Sequence, residues 1–474
     1  MGGGSRPGGD LFVSAPRVVV VGGGLAGITA ALDLADAGAE VTLAEVRPRL
    51  GGAAYSVSRE GLEMDNGQHV FLRCCDAYRG LLGRLGSSDL VSVQPRLRIP
   101  VLRPGHEPYV LRRGGLAPPL HLAGALARYR HLPPHERLGA ARAALALMRL
   151  TPERAHALEG LTLGQWLARH GQGPRAIAAL WDLIALPTLN LPAREASLEL
   201  GAFVFQTGLL QSAGAGDIGF HEHTLSDTLG SPAERALQDA GVRVLLGWRA
   251  RGLARGCGGF EVLGGAGGDG DEGGGLSAEG VVVALPHERA AGLLEPLLGE
   301  RVGAWRELGS SPIVNLHVVY DRRVLDEPFA AGVQTPVQYV FDRSRAGGAA
   351  GGHQYLAVSL SGAAREMRMS VDELRELYVP ALQALLPRAR EARLELFLVT
   401  REHAATFRAS PGTAALRPQP GPVMPGLALA GTWTATRWPA TLESAVMSGH
   451  AAARALIAGL EGSAAEPAAA LAGR

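Results

Sequence analysis

The hydrophobic pattern sorts the chain into two interwoven kinds of segment. Arg17 to Val21 is a short, apolar, β-branched run, as a buried parallel strand would be. A glycine turn follows at 22–27, then an apolar helix predicted over Ile28 to Ala37, with Gly38 in the C′ position. A strand over Glu40 to Glu45 completes a βαβ unit. The same alternation returns much later. Ser231, Pro232 and Glu234 predict a capping box with proline at the first helical position. That helix should run to Ala240, stop at Gly241 and lead into a strand over Val242 to Leu246. Apolar runs at Val281–Leu285 and Leu427–Ala430 predict further strands, and Thr441 to Ala458 a long apolar helix. Two insertions separate these pieces. Residues 90–230 are rich in Ala, Leu, Arg and Pro and read mainly as helix. Residues 300–415 hold strand-like runs at Ile313–Tyr320, Val337–Phe341, Tyr355–Leu360 and Leu394–Val399, and a helix opened by a second capping box, Ser370 with Glu373. Four strands and a helix predict an antiparallel sheet of a separate domain. Gly264 to Gly275 reads as a flexible surface loop between two strands.

Composition adds limits. A chain of 474 residues is long enough for two domains. A net charge of +1 gives no reason to expect a nucleic-acid partner. All 46 basic residues are arginine, so no step can use a lysine. Cys74, Cys75 and Cys257 make no disulfide framework and no metal spacing, and His221 and His223 lack a third ligand, so no metal is expected. Residues 1–16 have no apolar core of a signal peptide, and no apolar run reaches ~18 residues. A cytoplasmic protein is the expectation.

Chemistry enters at Gly22-Gly23-Gly24-Leu25-Ala26-Gly27, a G-x-G-x-x-G after a strand and before a helix. Gly22 permits the tight turn, Gly24 lets backbone approach a pyrophosphate, and Gly27 lets helix and strand close up. Leu25 and Ala26 open a helix whose free N–H groups and positive dipole end face the phosphates. Glu45 ends the second strand 23 positions after Gly22, where a carboxylate binds ribose hydroxyls. Arg47 and the pair Gly51-Gly52 follow directly, and a second glycine pair just after the ribose acid marks FAD rather than NAD. Val244, in the later strand, joins this cofactor set.

This pattern resembles the flavin amine oxidase and carotenoid desaturase superfamily. The resemblance implies an α/β, amine-oxidase-like fold: a Rossmann-like FAD-binding domain with an interleaved substrate domain of antiparallel sheet plus helices. On that basis residues 17–89, 231–299 and 416–461 form the FAD-binding domain, and 90–230 with 300–415 the substrate-binding domain. Residues 1–16 are a disordered leader and 462–474 a disordered tail. The resemblance also implies that Asp65-Asn66-Gly67-Gln68-His69 passes beside the flavin ring, Gln68 touching the cofactor. The other reading of these five residues is a polar turn opening a strand at Val70. Gly431 and Thr432 correspond to the Gly-Asp that meets the ribityl chain, and Trp438, Thr441 and Leu442 to the helix start aimed at the flavin pyrimidine. Thr432 replaces the usual aspartate, and a hydroxyl binds ribityl oxygen more weakly than a carboxylate.

Within the superfamily, the chain from Arg17 to about Leu460 resembles the squalene-associated FAD-dependent desaturases, the hydroxysqualene dehydroxylases of bacterial hopanoid biosynthesis. The residues that carry this are 65–69, Pro187 to Pro192 with Glu195 to Ser197, Phe205 to Leu210, Asp217 to Gly219, and Trp433 with Trp438 to Thr441. Gly219 to His223 and Thr432 depart from the pattern. The implied reaction replaces the hydroxyl of an allylic hydroxysqualene with hydride. It needs reduced flavin, a long apolar pocket and a general acid. His69 is the first candidate for the acid, then Asp65 and Asp217, and each could equally be a structural hydrogen-bonder. Trp433 or Trp438 could steady an allylic cation, or simply pack around the cofactor. The external electron donor is not encoded in any motif. The rivals are a carotenoid-type polyene desaturase, an amine-oxidase-like enzyme, which the lack of lysine disfavours, and a non-catalytic isoprenoid-binding flavoprotein. Pro118 to Leu150 mixes Leu, Ala and Arg. It reads either as core helix or as an interfacial amphipathic helix giving peripheral contact with the inner face of the cell membrane.

Overall fold

A computed structural model describes residues 15–256, 258–266, 274–349 and 351–471, with backbone alone for 462–471. Cys257, most of the glycine-rich loop and nearly all of the expected leader lie outside the described residues.

The alternation along the first strands sets the architecture. Val18, Val20, Val41 and Leu43 face one core, and Val19, Val21 and Ala44 face another. Both faces are apolar, so the sheet is buried on both sides, as a parallel sheet must be. Its order is Arg243–Leu246, Glu40–Glu45, Arg17–Val21, Gly280–Val283, Leu427–Leu429 and Gly421–Met424. The first five run parallel and the last pairs antiparallel. Helices Leu25–Asp36 and Leu442–Leu471 cover one face. Gly449 lets them touch, since a Cβ there would lie 2.4 Å from Ala26 O. The other face carries helix His287–Leu298 and a three-stranded antiparallel sheet, Trp248–Gly256, Gly259–Ala266 and Gly275–Ala278.

Two boundaries differ from expectation for a physical reason. The first helix starts at Leu25, because Gly24 is extended (ψ 175°) and its carbonyl already accepts from Ile28 N at 2.9 Å. Ser231 is no cap. Buried Leu225 and Leu229 draw the helix upstream through Ser226–Gly230. Thr224 caps it instead, its Oγ1 accepting from Asp227 N at 3.1 Å.

The second sheet has seven strands, in the order Leu394–Phe407, Ser310–Tyr320, Gln354–Ser361, Tyr339–Asp342, Phe329–Gly332, Arg98–Leu102 and Tyr109–Arg112. Every pairing is antiparallel except Phe329–Gly332 with Arg98–Leu102. The four expected strands are present, and the Ser370–Glu373 capping box forms at 3.2 and 2.6 Å. Two added strands come from the insertion expected to be mainly helical, where Pro100 interrupts the apolar run of one of them. Pro118 to Leu150 is not one helix. It forms Leu120–Leu122, Ala123–Ala127 and Pro134–Met148, with the break at Pro133-Pro134. Among the described residues no helix is long and apolar enough to cross a membrane.

Candidate functional site

The glycine loops meet at the carboxyl ends of the parallel strands, where such sheets bind ligands. Gly22 has φ +111°, and a Cβ there would sit 2.5 Å from Ala284 O. A Cβ on Gly52 would sit 2.7 Å from Gly24 Cα. Gly51 N donates to Gly23 O at 2.9 Å, so the two loops lie flat on each other. Glu45 joins them: Oε2 accepts from Gly23 N at 2.6 Å and Oε1 from Arg47 N at 2.7 Å. Gly24 and Gly52 remain half-exposed and Arg47 exposed. The result is a backbone cradle at a helix N-terminus, which suits a pyrophosphate. Gly27 serves packing, since its Cβ would fall 1.9 Å from Gly22 O. Val244 lies half-buried in the neighbouring strand, opposite Leu43.

The C-terminal segment comes to the same edge of the sheet. Gly431 (φ +143°) donates its N–H to Ser448 Oγ at 2.8 Å. Thr441 caps the last helix, Oγ1 accepting from Ser444 N at 3.3 Å. Gly431, Thr432, Trp438, Thr441 and Leu442 are all half-buried. One buried side chain shapes this irregular stretch. Arg417 donates to the carbonyls of Thr432 and Trp433 (3.3 Å each), Thr434 and Trp438 (2.9 Å). Burial pulls the Arg417 pKa down to about 10, so it remains a cation at neutral pH. Trp433 is buried: its Nε1 donates to Leu285 O at 2.9 Å and its ring meets Trp305 at 5.2 Å. It therefore takes the packing role, and only Trp438, edge-on to Phe203 at 5.1 Å, retains an open side.

Segment 65–69 sits between the two sheets. Asp65 accepts from Arg343 (2.8 Å), Ser56 Oγ (2.7 Å) and Leu225 N (2.9 Å). Asp65 is thus an engaged, ion-paired carboxylate that borders the same cleft as His69. Asp217 is ion-paired too, away from the cleft. It is buried and accepts from Arg113 (2.6 and 2.8 Å), Arg73 (3.1 Å) and Leu97 N (2.6 Å). Burial would raise its pKa, but the two guanidiniums prevail and hold the carboxyl below its usual range. Asp217 therefore has no proton to give at neutral pH.

His69 differs. It lines a small cleft with Asp65, Gln68, Phe220, His221, Phe341 and Arg343. Its ring bonds the Ala53 carbonyl; burial lowers its pKa, and the nearby carboxylates Asp65 and Glu402 oppose that. His221 is held neutral, pushed to about 3 by burial, with Nε2 2.7 Å from the Tyr78 hydroxyl. Gln68 Nε2 is a buried donor with no partner, which fits a site built for a ligand acceptor.

Several of these groups carried no sequence signal. Tyr55 donates to Glu402 at 2.8 Å, and Asn66 Nδ2 to the same oxygen at 2.9 Å. Arg49 lies 3.5 Å over the Tyr55 ring and donates to Gly52 O at 3.2 Å. This relay ties the glycine pair to strand Leu394–Phe407 across the boundary between the sheets. Phe220, Phe341 and Arg343 likewise reach the cleft from distant strands or the turn after one.

A backbone cradle for a pyrophosphate, closed by a second sheet, defines a flavin-dependent oxidoreductase. Residues 25–457 match the flavin containing amine oxidoreductase family, and the chain belongs to it, with FAD as cofactor. Over almost its full length it is similar to two hydroxysqualene dehydroxylases. That of Sinorhizobium fredii is 27% identical, over 92% of this chain and 97% of the relative. That of Rhodopseudomonas palustris is 29% identical, over 93% and 98%. Among solved structures, putrescine oxidase bound to putrescine superimposes with a TM-score of 0.71 at 19% identity, over 94% of this chain and 99% of that one, a likeness of fold.

Proposed function

We propose that the enzyme reductively dehydroxylates an allylic, hydroxysqualene-like isoprenoid. The observation that carries this reading is the His69 cleft. The imidazoles of His69 and His221, the Asp65–Arg343 ion pair and the unpartnered amide of Gln68 meet Phe220 and Phe341 there, at the edge of an apolar cluster. The full-length similarity to two hydroxysqualene dehydroxylases supports it.

In this reading Gly22, Gly24, Leu25, Ala26, Gly51, Gly52 and Arg47 hold the pyrophosphate of FAD, and Glu45 its ribose. Val244, Gln68, Gly431, Thr432, Trp438, Thr441 and Leu442 line the remainder. Reduced FAD supplies the hydride that forms the new C–H bond. His69 is the group placed to deliver the proton that leaves with the hydroxide as water; Asp65 and Glu402 oppose the burial that favours its neutral form. Phe220 and Phe341, which border the cleft, are the aromatic groups nearest to hand to steady positive charge on the allylic carbon. Asp65 positions the segment through Arg343. The hydride would have to be replaced from an external electron donor.

The test is anaerobic. The purified protein is reduced with dithionite and mixed with hydroxysqualene. Squalene should form in step with flavin reoxidation. A flavin that stays reduced, with no squalene, overturns the reading, and the oxidised enzyme should then be offered polyenes for desaturation.

A further inference from the structure

The three most exposed large apolar side chains of the described residues are Leu116 (62%), Leu120 (59%) and Leu138 (55%). They fall within 23 consecutive residues, Leu120 in the short turn Leu120–Leu122 and Leu138 on helix Pro134–Met148, so one segment concentrates them. Gly114 N donates to His121 O at 2.6 Å, closing a short loop that presents Leu116 and Leu120. His121 is buried beneath it. Leu138 and Leu145 lie seven positions apart on helix Pro134–Met148 and so share a face, with Arg142 between them. Leu145 is also exposed.

Charge is concentrated in the same place. Residues 112–149 contain seven arginines and a single acid, Glu136, within a chain whose net charge is only +1. Arg112, Arg128, Arg130, Arg142 and Arg149 are exposed and form no ion pair among the described residues. Leucines beside unpaired arginines are the chemistry of an anionic lipid surface: the leucines insert at the acyl boundary and the guanidiniums meet headgroup phosphates. An acidic protein would suit the arginines but leave a loop tip of leucine unexplained.

The underside of the segment points the same way. Tyr129 and Leu132 are buried in an apolar cluster that includes Phe341, with Leu122, Leu180, Ile184, Leu209 and Phe220 packed against it. The part of the segment from Leu122 to Leu132 thus overlies the apolar body that ends at the His69 cleft, while helix Pro134–Met148 sets Ala143 and Leu147 into the other core.

We propose that the ridge formed by Leu116, Leu120 and Leu138 docks the enzyme on an anionic bilayer, from which its substrate passes inward. The docking stands on the ridge alone; the inward passage rests on the isoprenoid reading.

The experiment uses the FAD-loaded full chain and vesicles of phosphatidylcholine with or without phosphatidylglycerol. The enzyme should float with the phosphatidylglycerol vesicles and be released by ~0.5 M salt, where screening shortens charge attraction to a few ångströms. The triple variant Leu116→Glu, Leu120→Glu, Leu138→Glu should lose at least tenfold in vesicle partition with its flavin content unchanged. Arg128→Gln with Arg130→Gln and Arg142→Gln should lose the preference for phosphatidylglycerol. With substrate in vesicles, turnover by the leucine variant should fall about tenfold, while turnover of detergent-dispersed substrate holds. Wild-type protein that floats with neither vesicle overturns the docking, as does a leucine variant that floats like wild type. If wild type fails to float and light scattering shows that the leucine variant breaks a dimer, the ridge joins two copies and the proposal falls. Floating protein that turns over no isoprenoid in vesicles or in detergent overturns the proposed function and leaves the docking standing.

Discussion

Buried ionisable groups around the cleft fall into two kinds, and mutation separates them. His69 has one ring contact, to the Ala53 carbonyl, and otherwise borders the cleft. His69→Gln should lower the rate of flavin-linked turnover by about 10²–10⁴-fold, the usual worth of a general acid, with flavin binding and unfolding midpoint little changed. Asp65→Asn should do the opposite. It strips Arg343 of its counter-charge and should cost about 3 kcal/mol of stability in urea titration. Equal losses of rate and stability in both variants would remove the distinction. His221 adds a pH signature. Its folded pKa is about 3 against roughly 6.5 unfolded, so below pH 6.5 the unfolded chain binds the extra proton. Its contribution to stability is therefore complete above pH 6.5 and lost as pH falls toward 3, at about 1.4 kcal/mol per pH unit. Urea midpoints of His221→Gln should show a shallower acid slope than wild type; parallel slopes would place the effect elsewhere.

Helix starts illustrate what local sequence can and cannot carry. The Ser370–Glu373 box was legible because nothing competes with it: both partners are exposed and four positions of chain settle the matter. Ser231-Pro-Ala-Glu234 has the same form, yet burial of Leu225 and Leu229 outweighs it and moves the cap to Thr224. Thr224→Ala should therefore cost about 1 kcal/mol, and Ser231→Ala less than ~0.5 kcal/mol, in equilibrium denaturation. The reverse order would restore the local cap. The residues that carried the family resemblance behave in a similar way. Asn190 adopts the left-handed conformation and its side chain bonds Ser311 O, Thr406 Oγ1 and Gly362 N. Ser197 caps helix Leu198–Phe205, and Gln206 Nε2 closes the carbonyls of Leu147 and Leu150. These are framework contacts, and short motifs record them well. The cleft was legible only at Asp65, Gln68 and His69. Glu402 stands 347 positions from Tyr55 and Arg343 stands 278 from Asp65, so no local pattern marks either pair.

At the scale of the whole molecule, the cofactor residues divide unequally between a self-sufficient layer and a borrowed one. The six-stranded sheet is apolar on both faces and covered by helices on one and by sheet and helix on the other. It needs no ligand to exclude water. The strip formed by 51–69 and 431–442 is different: Gly52 and Gly431 are half-exposed, its regular structure is chiefly the short hairpin Ser56–Arg59 with Leu62–Asp65, and Gln68 Nε2 is left without a partner. Its order depends on a few links, chiefly Tyr55 and Asn66 to Glu402, Asp65 to Arg343, and Arg417 to its four carbonyls. A ligand that binds only the folded form stabilises it by about 2.7 kcal/mol at a hundredfold excess over Kd. That energy should act first where the protein's own contacts are fewest. Removal of FAD should therefore raise amide exchange at 51–69 and 431–442 and leave Val18–Val21 and Val281–Val283 protected. If both strips lost protection together, the flavin would be part of the core that holds the parallel sheet. If neither did, the Glu402 and Arg417 contacts would suffice without it, and the two layers would be joined by the protein alone.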